Sequence, residues 1–410
     1  MSAKRNFLFL QGVCSPFFAR LADALKAQGH GVYKINFTVG DIAYWWPRKA
    51  LSFRAPLAEL PAFLKSVYDE YEITDQILFG DRRYVHQPAV IAGKEVGVRS
   101  HVYEEGYFRP YWVTLERGGV NRFSQLPKDP DWYLQHGNKF EVQPAQGFAS
   151  PFMDRALHDV LYHCASFWNP IFFRHYRNHA PVNAAVQYYG YIQRLPKMSQ
   201  YRKSDARVID TLVMSKTPFF LLPLQLNSDA QIREHSTFKD MADVMEQVVK
   251  SFAAHAHGGH KLLVKNHPLD LGLVNHRKIL HAICRRYGVE DRVSYIETGD
   301  LDKILRNACG TITVNSTLGC LALSYGSPTI TLSSPIYDMK GLTYQHGLDT
   351  FWSASVPPDR ELFTLFQRVV TSTTQINGGF YCSLGIDIAV KNSLQNLLSE
   401  RSPLEELLGA

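Results

Sequence analysis

The sequence predicts an α/β protein made of two doubly wound, Rossmann-like domains. Three observations carry that expectation. The chain has 410 residues, too many for one core and suited to two domains of roughly 150–200 residues each. Short apolar runs alternate with helical text along most of its length, the pattern of βαβ units and a parallel sheet. The loop after the first apolar run, "NFLFLQG", lacks G-x-G-x-x-G, so a dinucleotide site is disfavoured there.

The elements follow in order. Asn6 to Gly12 form an apolar strand closed by a glycine turn. Ser15 is a suitable N-cap and Pro16 fits a first helical turn. Phe18, Leu21, Ala22 and Leu25 recur at helical spacing, and Gly29 ends the helix. "GVYKINF" is the next strand. A helix is expected from Ala58 to Glu72, a strand in "DQILFGD" ending at Asp81, and another in "EVGVRSHVYEEG" running into Glu104 and Glu105. Residues 128–146 read as loop, and helices are expected from Asp154 to Tyr176 and from Pro181 to Arg194. The polar, basic stretch "RLPKMSQYRKSDAR" reads as a linker. Beyond it, strands in "PFFLLPLQLNSD", "KLLVKNHP", "VSYIE", "GTITVNS" and "PTITLS" alternate with helices. The expected domains are residues 1–195 and 205–375, with 376–410 packing back toward the first. Two such domains facing a cleft suggest the GT-B architecture.

Composition narrows the class. The chain is 45% hydrophobic and 20% charged, as in globular proteins, and no apolar run reaches the roughly 18 residues that span a bilayer. The apolar part of "MSAKRNFLFLQGVCS" is too short for a signal peptide, which implies a cytoplasmic protein. Six cysteines lie scattered without C-x-x-C spacing and support neither a zinc site nor a disulfide framework. The net charge of +6 is an ordinary basic surface or the mark of a phosphate-bearing partner, a nucleotide or an anionic lipid. Nucleic acid is not an expected partner. "DPD", Asp129 to Asp131, matches a metal-binding D-x-D only on paper, because no apolar strand precedes it; no metal or other cofactor is expected.

Three strand ends of the second domain collect polar residues: Gln225, Asn227, Ser228 and Asp229; then Lys265, Asn266, His267 and Pro268; then Asn315, Ser316 and Thr317. Parallel strands put their carboxyl ends on one edge, where ligands bind. A cation, an imidazole, hydroxyls and the free amides of a helix N-terminus together suit a phosphate. Ser316 or Thr317 taken alone reads equally as a helix cap, and His267 alone as a structural histidine. In the first domain, Glu104, Glu105 and Asp81 are acids at strand ends. Arg109 is placed for an ion pair with Glu105 or a bidentate contact to a substrate carboxylate. "FFRHYRNH", with Arg174, His175 and Arg177, suits an anionic head group or a solvated helix end.

"LPLQLNSD", "KNHP", "TVNSTLGCLALSYGSP", "VYEEGYFRPYWVTLERGGVN" and "FYCSLG" resemble the capsule polysaccharide biosynthesis proteins of the KpsS/LipB type, and the resemblance covers most of the chain. It implies a GT-B transferase that moves 3-deoxy-manno-octulosonic acid (Kdo) from CMP-β-Kdo to phosphatidylglycerol or lyso-phosphatidylglycerol. That step starts the β-Kdo linker of a Gram-negative capsular polysaccharide. It implies a peripheral protein on the cytoplasmic face of the inner membrane, with other capsule assembly proteins as partners. It assigns CMP to the second domain, where the His-Pro and Ser/Thr motifs match His267, Pro268, Ser316 and Thr317 and Gln225 stands at the corresponding strand end; Asn227, Lys265 and Asn315, from the same strand ends, complete the candidate nucleotide-binding set. It assigns acceptor binding and catalysis to the first. "YEEGYFRP" is similar to the Glu-Asp-Gly motif of retaining β-Kdo transferases, with Glu105 where several relatives have Asp. Retention by two displacements then makes Glu105 the candidate nucleophile. Arg109, Glu104, Arg174, His175 and Arg177 are the candidate substrate contacts. Two rival readings stand beside this one: an inverting, sialyltransferase-like enzyme with Glu105 or Asp81 as general base, and a non-catalytic scaffold of capsule assembly.

Overall fold

The computed structural model describes residues 4–177, 186, 189–190, 193–227, 232 and 236–409. The chain divides into two units. The first comprises Met1–Leu126, His136–His179 and Gln367–Ala410, and the second Pro127–Gln135 and Ala180–Phe366. The return to the first unit thus begins at Gln367 rather than at 376, and the division precedes the expected linker.

The first unit opens with strands β1 (Asn6–Phe9), β2 (Gly31–Asn36), β3 (Leu51–Ser52), β4 (Asp75–Phe79), β5 (Arg99–Glu105) and β6 (Trp112–Arg117). β1 lies between β2 and β4 and is parallel to both, so the direction of winding reverses between β1 and β4. Side chains along β1 alternate between two cores. Phe7 and Phe9 pack with the helices Phe17–Ala27 and Ser383–Leu398. Leu8 packs with the helices Leu60–Glu70 and His86–Glu95. A strand covered on both faces must be apolar throughout, which is why "NFLF" reads as a continuous run.

The second unit repeats the plan with β7 (Phe219–Pro223), β8 (Lys261–Lys265), β9 (Val293–Ile296), β10 (Gly310–Thr313) and β11 (Thr329–Thr331). All pairings are parallel, in the order β11-β10-β7-β8-β9. Phe220 and Leu222 face the helices Met241–His255 and His276–Tyr287, while Phe219 and Leu221 face the opposite core. The chain then returns to the first unit as β12 (Gln375–Asn377), antiparallel to β6, and completes the order β12-β6-β5-β4-β1-β2-β3.

Three sequence expectations are corrected. The stretch taken as a linker starts a helix, Met198–Met214, which packs Ile209 and Leu212 into the second unit. Its buried Asp205 accepts hydrogen bonds from the backbone amides of Glu297 and Thr298 at 2.9 and 3.0 Å. Residues 128–146 are not all loop: Pro130–His136 is helical, anchored by buried Tyr133, whose hydroxyl donates to the Pro127 carbonyl at 2.9 Å. The helix expected from Asp154 to Tyr176 is two, Phe152–Ser166 and Asn169–Phe172, the second with Pro170 in its first turn where a missing N–H costs nothing. The helix expected over 181–194 lies largely outside the described residues. Among the described residues no helix is long and apolar enough to cross a membrane, and all six cysteines are free thiols.

A buried charge cluster closes the first unit. The Asp75 carboxylate is fully buried and accepts from Arg5, from Thr74 at 2.7 Å and from His101 Nε2 at 2.8 Å, with Arg99 Nε 3.1 Å away. Burial pushes its pKa up, but the hydrogen bonds from His101 and Arg5 prevail and hold it well below the usual carboxylate range. Arg5 also donates to the Leu397 carbonyl at 2.6 Å, and Arg117 donates to the carbonyls of Ser399 (2.6 Å) and Glu400. Breaking one side of such a pair leaves a buried charge, so Asp75→Asn is expected to cost about 3–5 kcal/mol in denaturant unfolding. The exposed Arg48–Asp23 pair is the control: Arg48→Ala should cost under about 1 kcal/mol. Equal costs for the two variants would contradict this account.

Candidate functional site

In the second unit the winding reverses between β7 and β10, the place where doubly wound sheets bind ligands. Gln225, just past β7, and Asn315, just past β10, meet there. Gln225 Nε2 donates to Asn315 Oδ1 at 3.0 Å, and the Asn315 amide donates to Gln225 Oε1 at 3.3 Å. Ser316 follows and caps the helix Thr317–Ser324, accepting from the Leu318 amide at 3.2 Å. The Tyr337 hydroxyl donates to the Ser316 carbonyl at 2.6 Å, and Gly319 leaves room for that ring, which a Cβ would meet at 2.1 Å. Thr317 is the first helical residue, so the helix opens at the edge with its N-terminal amides toward the end of β10.

A second group sits past β8 and β9. Lys265 is buried and donates to the Asn266 carbonyl at 3.3 Å. Burial, then the charge of Arg194, lowers its pKa, while Asp205 opposes the shift. Asn266 Nδ2 donates to Glu297 (2.8 Å) and Asp270 (3.2 Å), and its Oδ1 accepts from the His267 amide. Arg194 donates to Glu297 at 3.0 Å and to the Asp270 carbonyl. His267 Nδ1 accepts from the Leu269 amide at 3.1 Å, which places the proton of a neutral ring on Nε2 as a donor. A cavity of about 580 Å³ opens beside this group, lined by Lys265, Pro268, Glu297, Arg202 and Lys303 among others. β7 lies between β10 and β8, so the two polar groups are neighbours on one edge.

Not every predicted residue is available to a ligand. The Asn227 carboxamide oxygen accepts from the Met241 amide at 2.8 Å and so starts the Met241–His255 helix. Ser228 and Asp229 lie outside the described residues. Asp129 accepts from the Asp131 amide at 3.0 Å, so the "DPD" stretch opens a helix. Glu297, Asp270 and Arg194 were not among the predicted site residues, because only folding brings Glu297 and Asp270 to Asn266 and sets Arg194 against both acids.

In the first unit the acids gather past β4 and β5. Glu104 accepts from the Glu105 amide at 3.0 Å and stands over Gly80, whose φ of +71° and missing Cβ let the strand end turn beside it. Among the described residues the Glu105 carboxylate meets Arg155 Nη1 at 3.5 Å, the Tyr381 hydroxyl at 3.4 Å and Arg109 Nη2 at 4.0 Å. Arg155 also lies over the Tyr381 ring, 4.8 Å from its centroid. The expected Arg109 contact is therefore the weakest of the three, and Arg155 and Tyr381 were missed. Tyr381 belongs to "FYCSLG", the one sequence signal that pointed to it. Asp81 is buried, 4.0 Å from Arg82. Glu116 lies buried behind it, accepting from Tyr107 at 2.7 Å and from Ser124. Arg174, His175 and Arg177 are exposed; Arg174 Nε donates to His175 Nε2 at 3.1 Å. Asn178 and His179 of that stretch lie outside the described residues.

Two doubly wound units with polar carboxyl edges define the class as α/β proteins of the Rossmann-like kind. The profile of the Capsule polysaccharide biosynthesis protein family matches residues 74–381. Capsule polysaccharide export protein KpsS of Escherichia coli is 31% identical over 378 residues, covering 92% of this chain and 97% of that protein. Capsule polysaccharide modification protein LipB of Neisseria meningitidis serogroup B is 34% identical over 391 residues, 93% of each chain. The chain belongs to this capsule polysaccharide biosynthesis family. The solved structure titled Thermosulfurimonas dismutans KpsC, beta Kdo 2,7 transferase, aligns at 14% identity with a TM-score of 0.44, covering 95% of this chain and 99% of that one.

Two buried carboxyls of the first unit whose pKa values are raised, Asp81 and Glu116, make a pH prediction. Burial pushes Asp81 up to about 6, against the pull of Arg82. Burial pushes Glu116 up to about 7, tempered by the Ser124 and Tyr107 hydrogen bonds and reinforced by Asp81. Both pKa values are raised above those of the unfolded chain, so their contribution is fully present below about pH 4 and is lost as pH rises through 6 and 7. The expected loss is on the order of 1–3 kcal/mol. Unfolding midpoints measured from acid to neutral pH should show this slope in the wild type and a flatter one in Asp81→Asn/Glu116→Gln. An unchanged slope in the double variant would refute the assignment.

Proposed function

We propose that the protein is a retaining glycosyltransferase that moves Kdo from CMP-β-Kdo to phosphatidylglycerol or its lyso form. The observation that carries the reading is the polar edge at the switch point of the second unit, beside the capped N-terminus of the Thr317–Ser324 helix. In this reading Lys265, His267 Nε2 and the helix amides take the charge of the departing CMP phosphate, and no metal ion is needed. Gln225 and Asn315 fix the edge against which the nucleotide lies. Membership of the capsule family supports a role in building a capsular polysaccharide.

The first unit supplies the nucleophile. A Glu105 carboxylate oxygen bonds to the anomeric carbon as the bond to the CMP phosphate breaks, and the electron pair leaves with CMP. The acceptor hydroxyl then displaces Glu105 and surrenders its proton to a base. Asp81, with a pKa of about 6, is placed in the useful range for that task. The two inversions restore the β configuration. Arg155 and Tyr381 keep the Glu105 carboxylate oriented, and Arg109 and Glu104 remain the proposed substrate contacts. The same Asp81 value favours one alternative, an inverting transfer with Asp81 as general base; the anomeric configuration of the product separates the two.

Two measurements test this reading. His267→Ala should weaken CMP binding by about tenfold or more in calorimetry, the worth of a hydrogen bond to a charged group, with the melting midpoint little changed. Unchanged affinity would remove His267 from the site. Glu105→Gln should bind CMP as the wild type does and lose Kdo transfer to a lyso-phosphatidylglycerol by orders of magnitude. Near wild-type product by mass analysis would move the nucleophile to another carboxylate.

A further inference from the structure

The Phe152–Ser166 helix is turned inside out. Its inward side is polar. The buried Tyr162 hydroxyl lies 2.8 Å from Thr38 Oγ1, donates to Asp41 at 3.2 Å and accepts from Gln11 Nε2 at 3.2 Å. His158 Nδ1 meets the Tyr44 hydroxyl at 2.8 Å, and Asn169, just past the helix, accepts from the Val39 amide at 2.8 Å. Residues 158 and 162 are one helical repeat apart, so they fix which side faces in. Its outward side carries Met153, Leu157 and Leu161, at 70%, 57% and 52% exposure, and Phe167, Trp168 and, in the next short helix, Ile171 follow at 78%, 52% and 69%. Apolar groups at helical spacing normally face a core; these face outward, and a contiguous exposed apolar face marks an interaction surface.

Charge identifies the occupant. The only carboxylates of the helix, Asp154 and Asp159, lie in its first half, and residues 160–177 contain no acid. Beyond the apolar stripe stand the exposed guanidinium groups of Arg174 and Arg177, joined by Arg54, 5.7 Å from the centroid of the Phe173 ring. An exposed apolar face rich in Phe, Trp and Leu, whose later part, residues 160–177, carries cations and no acid, has the chemistry of a segment lying in a lipid interface. We propose that Phe152–Arg177 docks the protein on an anionic lipid surface, the apolar stripe entering the acyl boundary and Arg54, Arg174 and Arg177 meeting head-group phosphates. The proposal deepens the lipid-acceptor reading and rests on it for the identity of the surface, but its test uses neither sugar donor nor transfer.

The experiment is flotation of the full chain with phosphatidylcholine vesicles, with and without phosphatidylglycerol. The wild type should float with the anionic vesicles and much less with the neutral ones. Leu157→Glu/Ile171→Glu should lower the bound fraction by about tenfold or more, with unchanged circular dichroism and melting because both side chains are exposed. Arg174→Ala/Arg177→Ala should weaken binding severalfold and reduce its salt dependence. Binding of the Glu variant at the wild-type level would overturn the proposal. So would a wild type that ignores vesicles but dimerises in solution and becomes monomeric in the Glu variant, since the face would then belong to a second copy. CMP binding by the same preparations reports the transferase site separately, so the two readings fail independently.

Discussion

Asp75 is the charge on which the first unit closes. It sits where β4 begins, and the groups that satisfy it come from the residue just before β1, from β5 and from the residue just before β4. Through Arg5 it reaches the carbonyls that end the Ser383–Leu398 helix, and Arg117 on β6 grips the residues just beyond. A buried pair of this kind adds little net stability over well-packed apolar groups, but it fixes geometry. Here it fixes the return of the chain. That return lays β12 against β6, sets Phe380 against Phe17, Phe79 and Tyr103, and brings the Tyr381 hydroxyl to Glu105.

The second unit shows why polar chemistry collects where it does. Each sheet is covered on both faces, so a polar side chain in mid-strand needs a buried partner, as His101 has in Asp75, and the strand ends are where such groups more readily find room. Gln225 and Asn315 satisfy each other across the switch point, while Asn266 is held by Glu297 and Asp270. The edge is therefore held in place by its own side-chain hydrogen bonds.

Much of this was legible in the sequence, for a physical reason. Doubly buried strands must be apolar and their ends must turn polar, so the runs at Phe219, Lys261 and Gly310 announced both the sheet and its edge. What stayed hidden depends on contacts distant along the chain. Arg155 is one basic residue among many until folding sets it beside Glu105 and Tyr381. The Met198–Met214 helix looked like a linker because its surface is charged; Ile209 and Leu212 are its buried apolar residues, with Val208 and Val213 packed partly buried beside them, and Asp205 is buried with hydrogen bonds to backbone amides. The Phe152–Ser166 helix defeats periodicity altogether, since its pattern shows an apolar side without saying that the side faces out.

The order in which the first unit is assembled along the chain has a consequence for its synthesis. Its sheet is closed on one side by β12, which follows the whole of the second unit in sequence. On the ribosome, β6 emerges early and keeps an open edge while more than half of the chain is still to be made, and the faces that Phe380 and the Ser383–Leu398 helix will cover stay wet. The long stretch Ala180–Phe366 is continuous and can complete its own sheet first. An unpaired edge beside uncovered aromatics is an aggregation hazard, so the nascent chain has its greatest need of a chaperone in the interval between the release of β6 and the arrival of Gln375.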